Sequence, residues 1–210
     1  MKLYMFPVAP NPTKVRLYLA EKKLAGTEIP VEEIMVSLPE GQQKSAEHVK
    51  RNPLGKVPVL ELDDGTYLTE SLPMMLYLEE LYADPPMIGT TPQARAQTLN
   101  VERIAEQGVL FAMAKIVHAT DSPLGLPKQP EVAEHFRKVL IGPCKILDDR
   151  LSDGRPFLMG DTPTIADFTL AAGLQMGRFK ELEPDPALEH LARWSTAYRE
   201  RPAAKQVLIL

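Results

Sequence analysis

The 210-residue chain has one cysteine, Cys144, so an intramolecular disulfide framework or a cysteine-built metal cluster is not open to it. It has no apolar run near the ~20 residues needed to span a bilayer. Aromatic residues are sparse, at 6% with a single tryptophan, and neither sign of charge dominates. The 24 Lys and Arg against 28 Asp and Glu leave a net charge of -4, which gives no reason to expect nucleic acid or an anionic membrane as a partner. The opening "MKLYMFPVAP" has one lysine and a short apolar stretch ended by prolines, unlike a secretory signal. A reducing cytoplasm is the expected location. No Ser-His-acid arrangement, phosphate loop or metal-ligand set is legible, and no metal is expected.

Proline is plentiful, with 20 in the chain, and it punctuates the pattern. "KLYMF" (2–6) reads as a short strand ended by Pro7. Residues 13–24 set Leu17, Ala20 and Leu24 at helical spacing. A second strand is expected over 29–36 and a short polar helix over 44–51. "VPVLELDDGTYLTES" (57–71) reads as two strands around Asp64-Gly65, a two-residue hairpin signal. An apolar helix follows over 71–82, with Ser71 as N-cap and Pro73 in its first turn. The order β-α-β-α-β-β-α therefore occupies residues 1–82. The proline-rich "ADPPMIGTTPQ" reads as a linker, taken as 83–92, and helical patterns fill 93–210: Gln93 to Ala119, Pro130 to Leu151, Ala166 to Met176 and Ala187 to Glu200. The expected class is α/β plus all-α.

Three stretches carry a mechanism. In "NPLGKVPVLELDDG" (52–65), Pro58 suits a strand start. A cis Val57-Pro58 bond would turn the main-chain groups of Val57 outward, where they could pair with an extended peptide-like ligand; a trans proline opening the strand is the other reading. In "TES" (69–71) a hydroxyl and free N–H groups at a helix start suit a carboxylate, and Glu70 suits an ammonium group, which together fit the zwitterionic end of an amino acid. In "TIAD" (164–167), Thr164 and Asp167 form a reciprocal cap of purely structural meaning.

Together with "PNPTKVRLYLAE", these stretches resemble, in order and spacing, a cytosolic glutathione S-transferase, and the likeness runs over nearly the whole chain. The resemblance implies a thioredoxin-like N-terminal domain, a helical-bundle C-terminal domain, a homodimer, and a cis Val57-Pro58 bond. It implies glutathione as co-substrate, with Val57 and Pro58 meeting its cysteinyl part and Glu70 and Ser71 its γ-glutamyl end. Gln43, with Gln42 as the alternative, and Lys56 would reach the glycine end. Relatives activate the thiol with Tyr, Ser or Cys near the first strand. Here Met5 holds the tyrosine position, Tyr4 falls on the opposite face, and Pro10 stands where Ser or Cys would be.

The turn is similar to the "TPN" and "SPN" turns of bacterial and fungal relatives, with Ala9 replacing the hydroxyl residue. Asn11 is left as the catalytic candidate, donating to a thiolate near the positive end of a helix. The competing reading makes Asn11 an N-cap and Pro12 the first helical residue. Pro7, Val8, Leu110, Met113 and Ala114 are expected to wall a pocket for a small electrophile. Cys144 reads as a buried inert thiol, His118 as a helix C-terminal contact, and the tail 207–210 as either a pocket cover or helix packing. Conjugation of glutathione to an electrophile is the expected activity. Glutathione-linked reduction of disulfides or peroxides, or glutathione binding without catalysis, are the alternatives.

Overall fold

The computed structural model describes residues 1–209, so Leu210, the end of the apolar tail, lies outside the described residues. Strand β1 (Lys2–Met5) pairs in parallel with β2 (Glu32–Met35) and antiparallel with β3 (Val59–Glu61), which pairs antiparallel with β4 (Tyr67–Leu68). The sheet order is β2-β1-β3-β4. Helix α1 (Pro10–Leu24) links β1 to β2, α2 (Ala46–Arg51) precedes β3, and α3 (Ser71–Leu81) follows β4. The period-2 alternation of a strand separates neighbours by face. Leu3 and Met5 join the main core, whereas Tyr4 packs with Val36 and Val59 on the other face, under the Arg51 guanidinium.

The hairpin is not closed by two residues. Gly65 N–H donates to Leu62 O, Leu62 N–H donates to Thr66 O, and Gly65 takes φ +84°, so Asp63, Asp64 and Gly65 form a three-residue turn. Asp64 closes it from its side chain by accepting Thr66 N–H at 2.9 Å, which the two-residue expectation left out.

The rest of the chain is helical: α4 (Pro92–Arg103), a π-helical stretch (Ile104–Leu110), α5 (Phe111–Thr120), α6 (Pro130–Arg150), α7 (Ile165–Arg178), α8 (Glu189–Arg199) and α9 (Pro202–Val207). The expected single helix over 93–119 is thus divided by a π stretch. Its Gly108 lies against Pro143 of α6, where a Cβ would come within 2.4 Å of the ring. Helix α7 is buried from Ile165 to Gly177, and Gly173 lets the Leu110 backbone approach so closely that a Cβ would lie 2.9 Å from Leu110 Cα. Trp194 and Cys144 are core residues, as are Met74 and Met75. Among the described residues no helix is long and apolar enough to cross a membrane.

Helix α1 joins the two halves. The expectation of one apolar stripe was too narrow: Lys14, Val15, Leu17, Tyr18 and Lys22 are all buried, while Leu24 at its end is half-exposed. Tyr18 meets Phe168 of α7 edge-on at 6.2 Å. Lys14 pairs with Glu106 of the π stretch and lies 3.5 Å from Glu102 of α4. Arg201 grips Glu21 with two hydrogen bonds of 2.7 and 2.6 Å.

Candidate active site

Strand directions bring four loops to one end of the sheet. β1 and β2 run in parallel and end there, the antiparallel β3 begins there, and β4 returns there. Residues 6–9, 36–45, 52–58 and 69–71 therefore converge, and both α1 and α3 begin at this end.

Helix α1 starts earlier than the sequence suggests. Ala9 is its N-cap, with Pro10 first and Asn11 second, so Asn11 is not the cap and Pro12 is not the first helical residue. Pro10 and Pro12 carry no N–H, Ala9 N–H donates to Phe6 O, and Thr13 N–H donates to Ala9 O. Val8 N–H and Asn11 N–H are thus the main-chain donors of this turn without a partner among the described residues, and the Asn11 side chain is half-buried. The Thr13 hydroxyl is taken up inside the protein, donating to Ala9 O at 2.9 Å and accepting from Gln175 Nε2 at 3.5 Å.

The Val57-Pro58 bond is cis. Val57 is half-buried and Pro58 buried at the start of β3. Glu70, not Ser71, is the N-cap of α3, because Glu70 has extended dihedrals and Ser71 is already helical. Ser71 is nonetheless buried at that helix end, and Glu70 is exposed and unpaired among the described residues. Gln42 is committed elsewhere: its Oε1 accepts Ser37 N–H at 2.8 Å and its Nε2 donates to Glu40 at 2.9 Å. Gln43 is buried, with its Oε1 unpartnered among the described residues. The Lys56 side chain is exposed.

Above this end lies a cavity of about 290 Å³ between the sheet and the helices. Phe6, Val8, Ala9 and Pro10 wall one side, Leu38 and Pro39 another; Val117 and His118 of α5, Pro123 and Leu124 beyond it, Met176 of α7, and Phe179 and Lys180 just after α7 close the rest. Of the five wall residues expected, only Val8 lines it. Leu110 packs on Gly173, Met113 faces a separate cavity with Cys144, and Pro7 and Ala114 lie outside the wall. The helical wall is the last turn of α5, one turn beyond the expected face, because that turn lies nearest the β1–α1 loop.

His118 makes the helix-end contact the sequence leads one to expect, to Ser122 just beyond α5. It is in that wall, with Nδ1 2.8 Å from Ser122 Oγ, which also accepts Leu124 N–H. Burial, with Lys115 nearby, lowers its pKa, so the imidazole is neutral near pH 7. Lys180, the other titratable wall residue, is paired with Asp121. A lone histidine in a helical pattern gives no sign of which cavity it faces. Cys144 is buried, and burial pushes its thiol up to about 12.

Residues 3–86 match the family model for the N-terminal domain of glutathione S-transferase, and residues 108–202 match that for its C-terminal domain. The chain is 30% identical to glutathione S-transferase 2 of Saccharomyces cerevisiae over 212 residues, covering 99% of this chain and 89% of that protein. It superposes on the crystal structure of Gtt2 from Saccharomyces cerevisiae with a TM-score of 0.89 at 30% identity, covering 99% of this chain and 100% of that one. A glutathione S-transferase domain-containing protein from Marinobacter aquaeolei gives a TM-score of 0.88 at 31% identity, over 97% and 100% of the two chains.

Proposed function

The chain belongs to the glutathione S-transferase family, and from that premise we propose that it is a glutathione transferase that ionises the bound thiol for attack on an electrophilic carbon of a small apolar molecule. The observation that carries this reading is the convergence of the Val57 edge, the α3 N-terminus and the β1–α1 turn beneath one apolar cavity. In this reading Val57 pairs through its backbone with the cysteinyl part of glutathione, with Pro58 beside it. Ser71 and Glu70 hold the γ-glutamyl carboxylate and ammonium, and Gln43 and Lys56 face the glycine end.

A free thiol of pKa ~8.5 is mostly protonated at neutral pH, so both a proton acceptor and thiolate donors are useful. His118 suits the first task. With Nδ1–H donating to Ser122 Oγ, its Nε2 is bare and can take the thiol proton, directly or through one water. Asn11 suits the second, through its free N–H and side-chain amide at the start of α1. The thiolate then forms the C–S bond as the leaving group departs with its electron pair, and the apolar wall accepts the electrophile. A homodimer and a cytoplasmic location belong to the same reading.

Calorimetric titration with glutathione, followed by turnover of an aryl halide, tests it. Saturable binding that Glu70→Ala and Ser71→Ala each weaken, with glutathione-dependent turnover, is the expected result. Absence of binding would overturn the assignment, and binding without turnover of aryl halide, peroxide or mixed disulfide would leave a glutathione-binding protein.

A further inference from the structure

We propose that His48 and Asn52 are positioning residues that aim the Val57 N–H at glutathione, and so set how tightly the protein holds it; this rests on the glutathione-binding reading above.

Both side chains are buried, His48 at 2% exposure and Asn52 at 1%. They converge on one acceptor, the carbonyl oxygen of Lys56, with His48 Nε2 at 2.9 Å and Asn52 Nδ2 at 3.0 Å. A carbonyl can only accept, so His48 Nε2 is the donor to it, while Nδ1 is buried and without a partner among the described residues. This is a costly arrangement for a histidine whose role is only to fill space, since a buried polar atom without a partner is unfavourable.

The consequence follows from peptide geometry. The Lys56-Val57 bond is not among the cis bonds of the chain, so its C=O and N–H lie in one plane and point in opposite directions. Two inward-facing donors on the carbonyl therefore turn the Val57 N–H away from the domain interior. That is the side where the β1–α1 turn and the start of α3 converge. Without the donors, the plane is free to rotate about the flanking single bonds, and the Val57 N–H loses its fixed direction.

The donors are themselves held. Ser45 Oγ caps α2 by accepting His48 N–H at 3.2 Å, and Asn52 is the C-cap of the same helix, its N–H donating to His48 O at 2.9 Å. Asn52 Oδ1 accepts Leu54 N–H at 3.0 Å, and Gly55, at φ +58°, turns the chain back so that the Lys56 carbonyl meets both donors. Any side chain at Gly55 would also crowd Gln43 O, 3.1 Å from an added Cβ. The six-residue helix and the turn after it thus act as a bracket for one peptide plane.

The test compares His48→Phe, which removes the donor at similar shape, with His48→Gln, whose amide nitrogen stands in for Nε2. Steady-state kinetics in glutathione and in the electrophile, with thermal melts, supply the readouts. The expected result for His48→Phe is a glutathione KM raised about tenfold, the effect of one misaligned hydrogen bond. The kcat at saturating glutathione and the KM for the electrophile stay within about twofold, and His48→Gln restores most of the loss. Asn52→Asp, which keeps the Leu54 contact but sets a carboxylate oxygen against the carbonyl, is expected to act in the same direction. Should His48→Phe fold poorly, the Lys56 carbonyl-carbon and Val57 amide chemical shifts of His48→Gln and Asn52→Asp give the same comparison. A lower melting temperature with unchanged glutathione KM overturns the positioning role while leaving the transferase reading standing. Failure of the wild type to bind glutathione overturns both.

Discussion

Asp167 is fully buried yet accepts four hydrogen bonds: from Leu158 N–H at 2.9 Å and Trp194 Nε1 at 3.1 Å on one oxygen, and from Thr164 N–H at 2.9 Å and its hydroxyl at 3.0 Å on the other. Each donor favours the charged form, but burial outweighs them and raises its pKa to about 6. Between about 6 and the ordinary aspartate value of ~3.9, the native state therefore holds a proton that the unfolded chain has released. The contribution of this group is full below the unfolded value and is lost as pH rises through about 6. Urea melts of wild type and Asp167→Ala between pH 4 and 7 should show the variant weaker throughout, by about 3–5 kcal/mol at the acidic end, with the gap narrowing as pH rises. At the active site, Asn11→Ala should raise the pKa of bound glutathione, read by thiolate absorbance. His118→Ala should lower kcat/KM about 10²-fold at neutral pH and recover at alkaline pH, where the thiol ionises unaided. Because the His118 pKa is lowered, wild-type activity should hold down to mildly acidic pH and fall only as the imidazole gains its proton.

At the scale of elements, the end of α7 sits between two cavities. Leu182 N–H donates to Gly177 O and Glu181 N–H to Arg178 O, a Schellman closure. The residue in the left-handed position of that closure is Glu181, at φ 54°, where glycine is the usual occupant. Phe179 and Lys180 before it line the candidate active-site cavity, and Leu182 to Asp185 after it line the second one. Glu181→Gly should stabilise the protein by about 0.5–1 kcal/mol in thermal or urea unfolding, since it relieves the left-handed cost while Glu181 itself lines neither cavity. Helix α7 could be anticipated from its cap and apolar content. The π stretch at 104–110 could not: it packs through Gly108 on Pro143, 35 residues away in sequence and on another helix.

At the scale of the molecule, the halves are locked by charge as well as by apolar packing. Lys14 of α1 is buried against Glu102 and Glu106, while Thr169 donates to Glu102 at 3.0 Å and Arg103 lies 3.4 Å from it. Burial, with Glu106 adding repulsion, leaves the Glu102 pKa raised even with Lys14 in place. Lys14→Met should cost about 3–5 kcal/mol near neutral pH by taking the buried ammonium from between Glu102 and Glu106, leaving Glu102 only the part-exposed Arg103 as a cation. Its stability should partly recover on acidification, because a carboxyl raised further in the native state contributes most when protonated and loses that contribution as pH rises through its folded pKa. Melting temperatures at pH 5 and pH 8 check this.

Local chemistry was enough to determine the order of strands and helices in the first eighty residues, the Thr164–Asp167 cap, the opposite faces of Tyr4 and Met5, and the segments from which glutathione contacts are proposed. Those features depend on alternation, helix period and cap chemistry within a few residues. Tertiary structure decided what depends on neighbours distant in sequence. It set the start of α1 at Pro10, committed Gln42 to Ser37, and turned His118 rather than Met113 to the cavity. It also brought His48 and Asn52 onto a single carbonyl. A helix pattern states which residues share a face, but the element packed against that face settles whether it becomes core, cavity wall or bracket.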